Sequence, residues 1–306
     1  AVMTDASEPL DPDVIAEREI VPFDPTHRLI LGPGAQTVHL HPSLQDRSTR
    51  AVGLAAGRGT GVAALRLPEI RGDEPIPADM GTILTYPREL WRQEAYELFR
   101  WSSYPRILLI DTVDYAYQSR LFKRLAFFVE KEGFRGTLLT DAQLRGRHGW
   151  NAHNYRPEGL AAFYNAAAAE AFPLNQEELL LREILLREGL LLPGSDGRPY
   201  EPGEGGILSV SQESWSLLRE LLLTHEALHG IYYEEPEFRR RVQRLWKEEL
   251  AEEDREFWRF FLGYMSYDPA DSYLMQNEMQ AYLLQYPLEV IPGYFRGRIA
   301  DRLRNA

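Results

Sequence analysis

The segment LLTHEALHGIYY, residues 222–233, limits the fold more strongly than any other part of the chain. Leucines recur around its histidines at helical spacing, which predicts an amphipathic helix with one buried face. His225 and His229 are four residues apart, so both lie on that face and point toward the interior. Two buried imidazoles need polar partners, and a metal ion bound by both is one way to provide them.

Glu226 follows the first histidine directly and is rotated about 100° from it around the helix axis. It is therefore poorly placed to be a third ligand, but well placed beside an open coordination position, where it can take a proton from water. The pattern H-E-x-x-H with these roles is typical of zinc peptidases, in which the Glu is the general base. The alternative is a helix that buries two histidines without a metal.

Composition further restricts the metal ligands, the kinds of catalysis and the partners that this chain can have. The chain has no cysteine, which excludes disulfides, thiolate catalysis and cysteine-ligated zinc, and leaves His, Asp and Glu as strong metal ligands. The net charge of −12 argues against nucleic acids and anionic membranes as partners. No apolar run is long enough to predict an integral membrane segment. The chain begins at Ala1 rather than Met, which fits either export after removal of a signal peptide or a cytoplasmic location.

Local composition and the pattern of apolar runs predict three regions and an α+β fold. Residues 1–20 are acidic and contain proline, which predicts a flexible arm. Residues 21–86 contain short apolar runs broken by Gly and Pro, which predict a β-rich N-terminal region. Residues 87–306 form the main domain, with a βαβ part at 87–205 and a helical part carrying the metal site at 206–306. We expect a mixed sheet packed on helices.

Within the main domain, local patterns predict individual elements. Residues 89–103 have the pattern of a helix. The apolar runs at 106–112 and 136–141 flank an amphipathic segment at 118–134, which predicts two parallel strands joined by a crossover helix. A third strand is predicted at 206–211, directly before the helix with the histidines.

A later segment, MQNEMQAYLLQYP, offers a third ligand. It carries N-E-M-Q-A at 277–281, which matches the Asn-Glu-x-x-Ser/Ala pattern of the gluzincins, zinc peptidases in which a Glu on a later helix completes the zinc site. The sequence resembles this family over residues 206–287. The resemblance implies a zincin-like fold, with one Zn²⁺ ion bound by His225, His229 and Glu278. It also implies a peptide or protein substrate.

Other acidic residues compete with Glu278 for this role. Glu234, Glu235 and Glu237 follow the histidines closely, but their segment has the pattern of a solvated helix start. Asp268 and Asp271 are either ligands or helix caps. No third histidine follows at the spacing of the metzincin branch, which is therefore excluded.

The sequence departs from the gluzincin pattern at Tyr282, where several members have an Asp that orients a zinc-bound histidine. Either Tyr282 has another role, or the orienting carboxylate comes from elsewhere, with Asp268 and Asp271 as candidates. Zincins also use a Tyr or His to steady the oxyanion of the tetrahedral intermediate. The candidates for that role are Tyr282, Tyr286, Tyr294 and His153.

Two further segments are candidates for substrate contact. HGWNAHNYR is rich in polar and aromatic residues, which favours a cleft wall that includes His148 and Asn151, although a loop held by its own hydrogen bonds has the same composition. GGILSVS resembles the edge strand that pairs with extended peptides in zincins, with Gly206 and Ser209 as contacts. An ordinary strand within the sheet fits this segment equally well.

The sequence therefore predicts a zinc-dependent hydrolase, with a peptidase as its leading form and Glu226 as the general base. The alternative from another class is a non-catalytic binding protein on a zincin scaffold, with structural zinc or an occluded cleft. Substrate, cleavage specificity and oligomeric state are left open.

Overall fold

The structure, a computed structural model, describes residues 2–5, 35–38, 61–65 and 72–295 with the exception of 196 and 288. The chain divides into two compact units, Ala1–Tyr86 and Pro87–Ala306. The first contains β1 (Val2–Asp5), β2 (Ala35–Val38), β3 (Gly61–Leu65), β4 (Ile76–Ala78) and α1 (Met80–Thr85).

The flexible arm over residues 1–20 stays a prediction. Within it, β1 is paired antiparallel with β2 on one side and with β3 on the other. The sequence Val-Met-Thr is compatible with a strand. The acidic, proline-containing remainder, residues 6–20, lies outside the described residues.

The second unit is α+β, with a mixed sheet packed against helices, as the sequence predicts. Its elements are β5 (Tyr96–Trp101), β6 (Ile107–Thr112), α2 (Tyr115–Val129), β7 (His153–Tyr155), α3 (Pro157–Ala169), α4 (Gln176–Arg187), β8 (Leu191–Pro193), β9 (Tyr200–Pro202), β10 (Gly206–Ser211), α5 (Ser216–Glu234), α6 (Pro236–Arg244), α7 (Glu252–Tyr264) and α8 (Ser272–Leu284). Among the described residues, every helix is too short or too polar to cross a membrane.

Strand pairing in this unit follows the order β5, β6, β10, β7. β10 is parallel to β6 and antiparallel to β7, and β5 is antiparallel to β6. β8 and β9 form a separate antiparallel hairpin. Every residue of β6 and of β10 is buried, which is the pattern of strands covered on both faces.

The helix predicted over residues 89–103 is wrong, because β5 occupies its second half. Glu94, Glu97 and Arg100 recur at three-residue spacing and imitate a polar helix face. Pairing with β6 determines the structure instead, and it buries Leu98 and Phe99 on opposite sides of the sheet.

The strand predicted at 136–141 is also wrong. This stretch has no regular structure, and Leu139 packs in a small cluster with Phe127 and Leu144. The parallel partner of β6 is β10, whose six residues pair with the six of β6 in continuous register. The helices from α2 to α4 therefore belong to the connection between these two strands.

The sheet carries helices on both faces. Side chains of a strand alternate between faces, and Leu108 and Ile110 of β6 join the core built with α2, α3 and α4. Ile107 points the other way, toward Gly230 of α5. A Cβ atom at this glycine would lie 3.2 Å from the Trp101 ring and 3.5 Å from Ile107, so glycine lets α5 pack closely on the sheet.

A buried ion pair also joins α5 to the sheet. Arg219 donates to Asp111 Oδ1 at 2.9 Å and to Oδ2 at 2.6 Å, and both side chains are buried. We expect Arg219→Met to lower the free energy of unfolding by about 3–5 kcal/mol, because Asp111 would stay buried without its cationic partner. Urea unfolding measures this loss.

Arg240→Met is the matched control. Arg240 pairs with Glu237 at 2.6 Å, but both side chains are exposed, so we expect little or no loss of stability. Equal losses in the two variants would contradict a special role for the buried pair.

Candidate metal centre

Two helices carry the three residues predicted as metal ligands. α5 provides His225 and His229, α8 provides Glu278, and the two helices pack against each other. All three side chains are buried. The start of α8 is set locally, because the Asp271 carboxylate accepts two backbone hydrogen bonds of its first turn, at 2.9 and 3.1 Å.

The ligand atoms form a compact triangle. His225 Nε2 and His229 Nε2 are 3.1 Å apart, Glu278 Oε2 is 3.4 Å from His225 Nε2, and Glu278 Oε1 is 3.6 Å from His229 Nε2. Atoms that bind tetrahedral Zn²⁺ at about 2.0–2.1 Å are about 3.3–3.4 Å from each other. The three residues could therefore hold one metal ion with little rearrangement.

The chemistry of these atoms also fits a cation. Glu278 Oε2 is buried and has no hydrogen-bond partner among the described residues. A buried carboxylate oxygen without a partner is costly in free energy. A cation bound by this oxygen and the two imidazoles would satisfy it.

The electrostatic surroundings hold two of these groups in the protonation states that bind a cation. Burial would raise the pKa of Glu278, but contacts with His229 and His225 outweigh it and hold the pKa below its ordinary value. Burial lowers the pKa of the His229 imidazole to about 4. Glu278 is therefore ionised and His229 neutral near pH 7, which are the forms that bind a cation.

The His225 ring is oriented by a residue that the sequence did not indicate. Gln285 Oε1 lies 2.8 Å from His225 Nδ1, so Nδ1 is the donor and the Nε2 lone pair faces the triangle. Asp268 and Asp271, predicted for this role, pair instead with Arg135 at 2.9 and 2.7 Å. That prediction is wrong because both carboxylates are used in the ion pairs with Arg135, and Asp271 also caps α8.

Glu226 lies in a hydrogen-bonded pocket of its own. Asn154 Nδ2 donates to Glu226 Oε2 at 3.0 Å, and the Tyr233 hydroxyl donates to Asn154 Oδ1. Burial raises the pKa of Glu226 to about 7, although His225 and Asn154 oppose the shift. A carboxyl group with this pKa can both accept and release a proton near neutral pH.

A cavity of about 290 Å³ is lined by His225 and Glu226. One wall is the part of α5 that precedes them, and the opposite wall is the segment 148–154. This volume is near the lower end of the range for small-ligand sites. The other lining residues are Glu130, Leu218, Leu221, Leu222, Met265, Tyr267, Tyr282, Gln285, Tyr286 and Tyr294.

The predicted substrate-contact residues divide into two groups. His148 and Asn151 line the cavity, and their contact with a substrate stays a prediction. Gly206 and Ser209 lie in β10, which is paired on both sides, so the edge strand predicted there is wrong. The Ser209 hydroxyl accepts a hydrogen bond from Gln118 at 2.9 Å within the core. The strand at that end of the sheet is β7.

The four candidates for the oxyanion role, Tyr282, Tyr286, Tyr294 and His153, also line the cavity. The Tyr282 ring meets His225 edge-on at a centroid distance of 4.8 Å, and its catalytic role stays a prediction. His153 stacks on Phe122 at 5.0 Å, and its Nδ1 lies 3.0 Å from the Tyr155 hydroxyl. Burial lowers the pKa of His153 to about 3, so this ring is neutral at physiological pH.

A further buried carboxylate lies on the cavity wall and was missed from the sequence. Glu130 accepts a hydrogen bond from Trp150 Nε1 at 2.9 Å, and the Trp150 ring stacks on Tyr267 at 4.7 Å. Burial raises the pKa of Glu130 well above its usual value, and Glu278 adds to this effect. In the sequence this residue belongs to the charged run EKEG after an amphipathic helix, which resembles a solvated helix end.

Comparison of the chain with protein-family models, curated proteins and solved structures finds no match. A function for this chain is therefore inferred from the residues and geometry of the site.

Proposed function

We propose that this protein is a zinc-dependent hydrolase, specifically a peptidase of the gluzincin type. The supporting observation is the buried group of His225, His229 and Glu278, whose ligand atoms all lie within 4.8 Å of one another. Glu226 lines the neighbouring cavity together with His225. Two histidines and one glutamate with a fourth position for water make up one of the common catalytic zinc sites.

Each residue of the site has a task in this proposal. His225, His229 and Glu278 hold the ion, which when bound supplies Lewis acidity and a water molecule of lowered pKa. Glu226 takes a proton from the attacking water on its carboxylate and passes it to the leaving amine nitrogen. Its pKa of about 7 suits both transfers.

The cavity lining favours a peptide with an apolar side chain next to the bond that is cut. Leu221 and Leu222 lie about one helical turn before His225 and share its face of α5, and Leu218 lies one turn further. Successive residues of an extended peptide rise about 3.3 Å, so a side chain beside the scissile carbonyl reaches these leucines. β7, at the end of the sheet, is the strand for an extended peptide to pair with.

The alternative, a binding protein with structural zinc, requires a closed site with four protein ligands. Among the described residues, the group of His, Asp and Glu side chains close enough to share an ion has three members. This favours a site that keeps one position for water.

Two measurements on the purified full chain test the proposal. Elemental analysis is expected to find one zinc ion per chain, either as purified or after addition of Zn²⁺. A proteome-derived peptide library, read by mass spectrometry, is expected to be cut beside Leu, Ile, Phe and Met, and to stay intact with 1,10-phenanthroline.

Each failure has a distinct meaning. Absence of metal uptake would refute the site, and iron in place of zinc would point to oxygen chemistry instead. Bound zinc without any cleavage would favour the binding protein. Cleavage with no preference for apolar residues would contradict the role of the leucine wall alone.

A further inference from the structure

We propose that Asn154 and Tyr233 form a positioning pair that fixes the carboxylate of Glu226 in the orientation needed for proton transfer. This role depends on the proposed function, because it assigns the pair a task in peptide hydrolysis. Neither side chain takes part in the chemistry itself: Tyr233 acts through Asn154, and Asn154 acts through Glu226.

The hydrogen bonds define the orientation of each group. An ionised carboxylate can only accept, so Asn154 must present its NH₂ group to Glu226 Oε2, at 3.0 Å. The amide oxygen then faces away from Glu226 and accepts the hydroxyl hydrogen of Tyr233. Tyr233 therefore holds Asn154 in one of its two amide orientations, the one that binds a carboxylate.

Both members of the pair belong to regular secondary structure. Asn154 is the middle residue of β7, opposite Leu208 of β10. Tyr233 lies in the last turn of α5, seven residues after Glu226, which places both on the same side of the helix. The bridge from Glu226 through Asn154 to Tyr233 thus spans two turns of one helix and a paired strand.

Gly206 makes room for this arrangement. A Cβ atom at this position would lie 2.7 Å from Cδ2 of Tyr233, closer than real side-chain contacts allow. The residue that the sequence suggested as a substrate contact instead leaves space for the ring of Tyr233. This space lets the hydroxyl reach Asn154.

The functional consequence concerns the turnover step. With Oε2 held by Asn154, Oε1 is the oxygen left to receive a proton. Without the pair, Glu226 would distribute over several rotamers, and misplaced groups transfer protons slowly. Loss of the pair should therefore lower kcat and leave KM and zinc content unchanged.

The test uses the zinc-loaded full chain and a quenched fluorescent peptide that carries the bond most often cut in the library. Tyr233→Phe is expected to lower kcat about 10-fold, and Asn154→Ala about 10- to 100-fold. The double variant should be no slower than Asn154→Ala alone, because Tyr233 acts only through Asn154.

Two controls separate positioning from packing. Tyr232→Phe removes the hydroxyl of the adjacent buried tyrosine, which packs on Phe238 and Tyr273, and should leave kcat unchanged. Asn154→Asp keeps the shape but replaces the donor with an oxygen, so it should be at least as slow as Asn154→Ala. Wild-type kcat in Asn154→Asp, or equal kcat in the two Tyr→Phe variants, would overturn the positioning role.

A structural readout makes the test independent of turnover. In crystal structures of the zinc-loaded proteins, we expect one Glu226 conformer in the wild type and in Tyr232→Phe, and a second conformer in Tyr233→Phe. If the wild type cuts no peptide, the proposed function fails. This comparison still tests whether Asn154 and Tyr233 fix the conformation of Glu226. An unchanged Glu226 conformer in Tyr233→Phe would overturn it.

Discussion

Glu226→Gln is expected to lower kcat for peptide hydrolysis by about 100- to 10,000-fold, while the protein keeps its zinc. Glutamine has nearly the same size, and its amide oxygen can still accept the hydrogen bond from Asn154. The cavity and the metal ligands are therefore preserved. The amide does not take up a proton near neutral pH, so the attacking water loses its base.

Steady-state kinetics with the fluorescent peptide, together with elemental analysis, measure this effect. Glu220→Gln is the control, because Glu220 is an exposed glutamate on the same helix and should tolerate the change without loss of activity. Wild-type turnover in Glu226→Gln would mean that another group is the base.

Glu278→Gln is expected to weaken zinc binding by more than about 100-fold, the upper end of what loss of an outer hydrogen-bond partner costs. A neutral amide is a much poorer ligand than a carboxylate and leaves the two imidazoles without a charged partner. Competition with a zinc indicator measures the affinity, and peptide hydrolysis should fall with zinc occupancy.

The control is Glu130, a buried glutamate that lines the cavity. Glutamine at this position can still accept the hydrogen bond from Trp150, so Glu130→Gln should bind zinc like the wild type. If Glu278→Gln kept full zinc affinity, or if Glu130→Gln lost it, the third ligand would be wrongly assigned.

The helices of the site could be predicted because their signals are local. The spacing of His225 and His229 alone places both on one helix face, and the structure brings them together at 3.1 Å. Local pattern alone could not identify Glu278 as the third ligand, since helical periodicity does not say which acidic residue of a later helix reaches the histidines. The resemblance to gluzincins made that choice, and Glu278 lies within 3.6 Å of both rings.

The partners that orient these residues could not be predicted, because tertiary contacts create them. Gln285 reaches His225 across 60 residues of chain, and Asn154 reaches Glu226 across 72. One signal was present for Gln285: it follows Glu278 by seven residues and so shares its side of the helix. No comparable local pattern existed for Asn154, although its aromatic-rich segment stood out.

The position of β10 within the sheet was predicted wrongly for a similar reason. A strand has the same local sequence whether its partners lie on one side or on both, and pairing between distant segments decides its place. The end of the run GILSVS in β10 alternates apolar and polar residues as a half-exposed strand does, yet all six residues are buried by pairing and packing. β5 was missed because charged residues at helical spacing concealed a segment that is buried by pairing with β6.

The separation of these contacts along the chain also has a consequence for synthesis. A chain that has emerged only as far as the end of α5 already contains both histidines and Glu226, but neither Glu278 nor Gln285. Contacts across such distances form only when their closure entropy is offset by packing. The proposed centre is therefore complete only after α8 has been made and has docked on α5, so an unfinished chain would lack the third ligand of the proposed metal site.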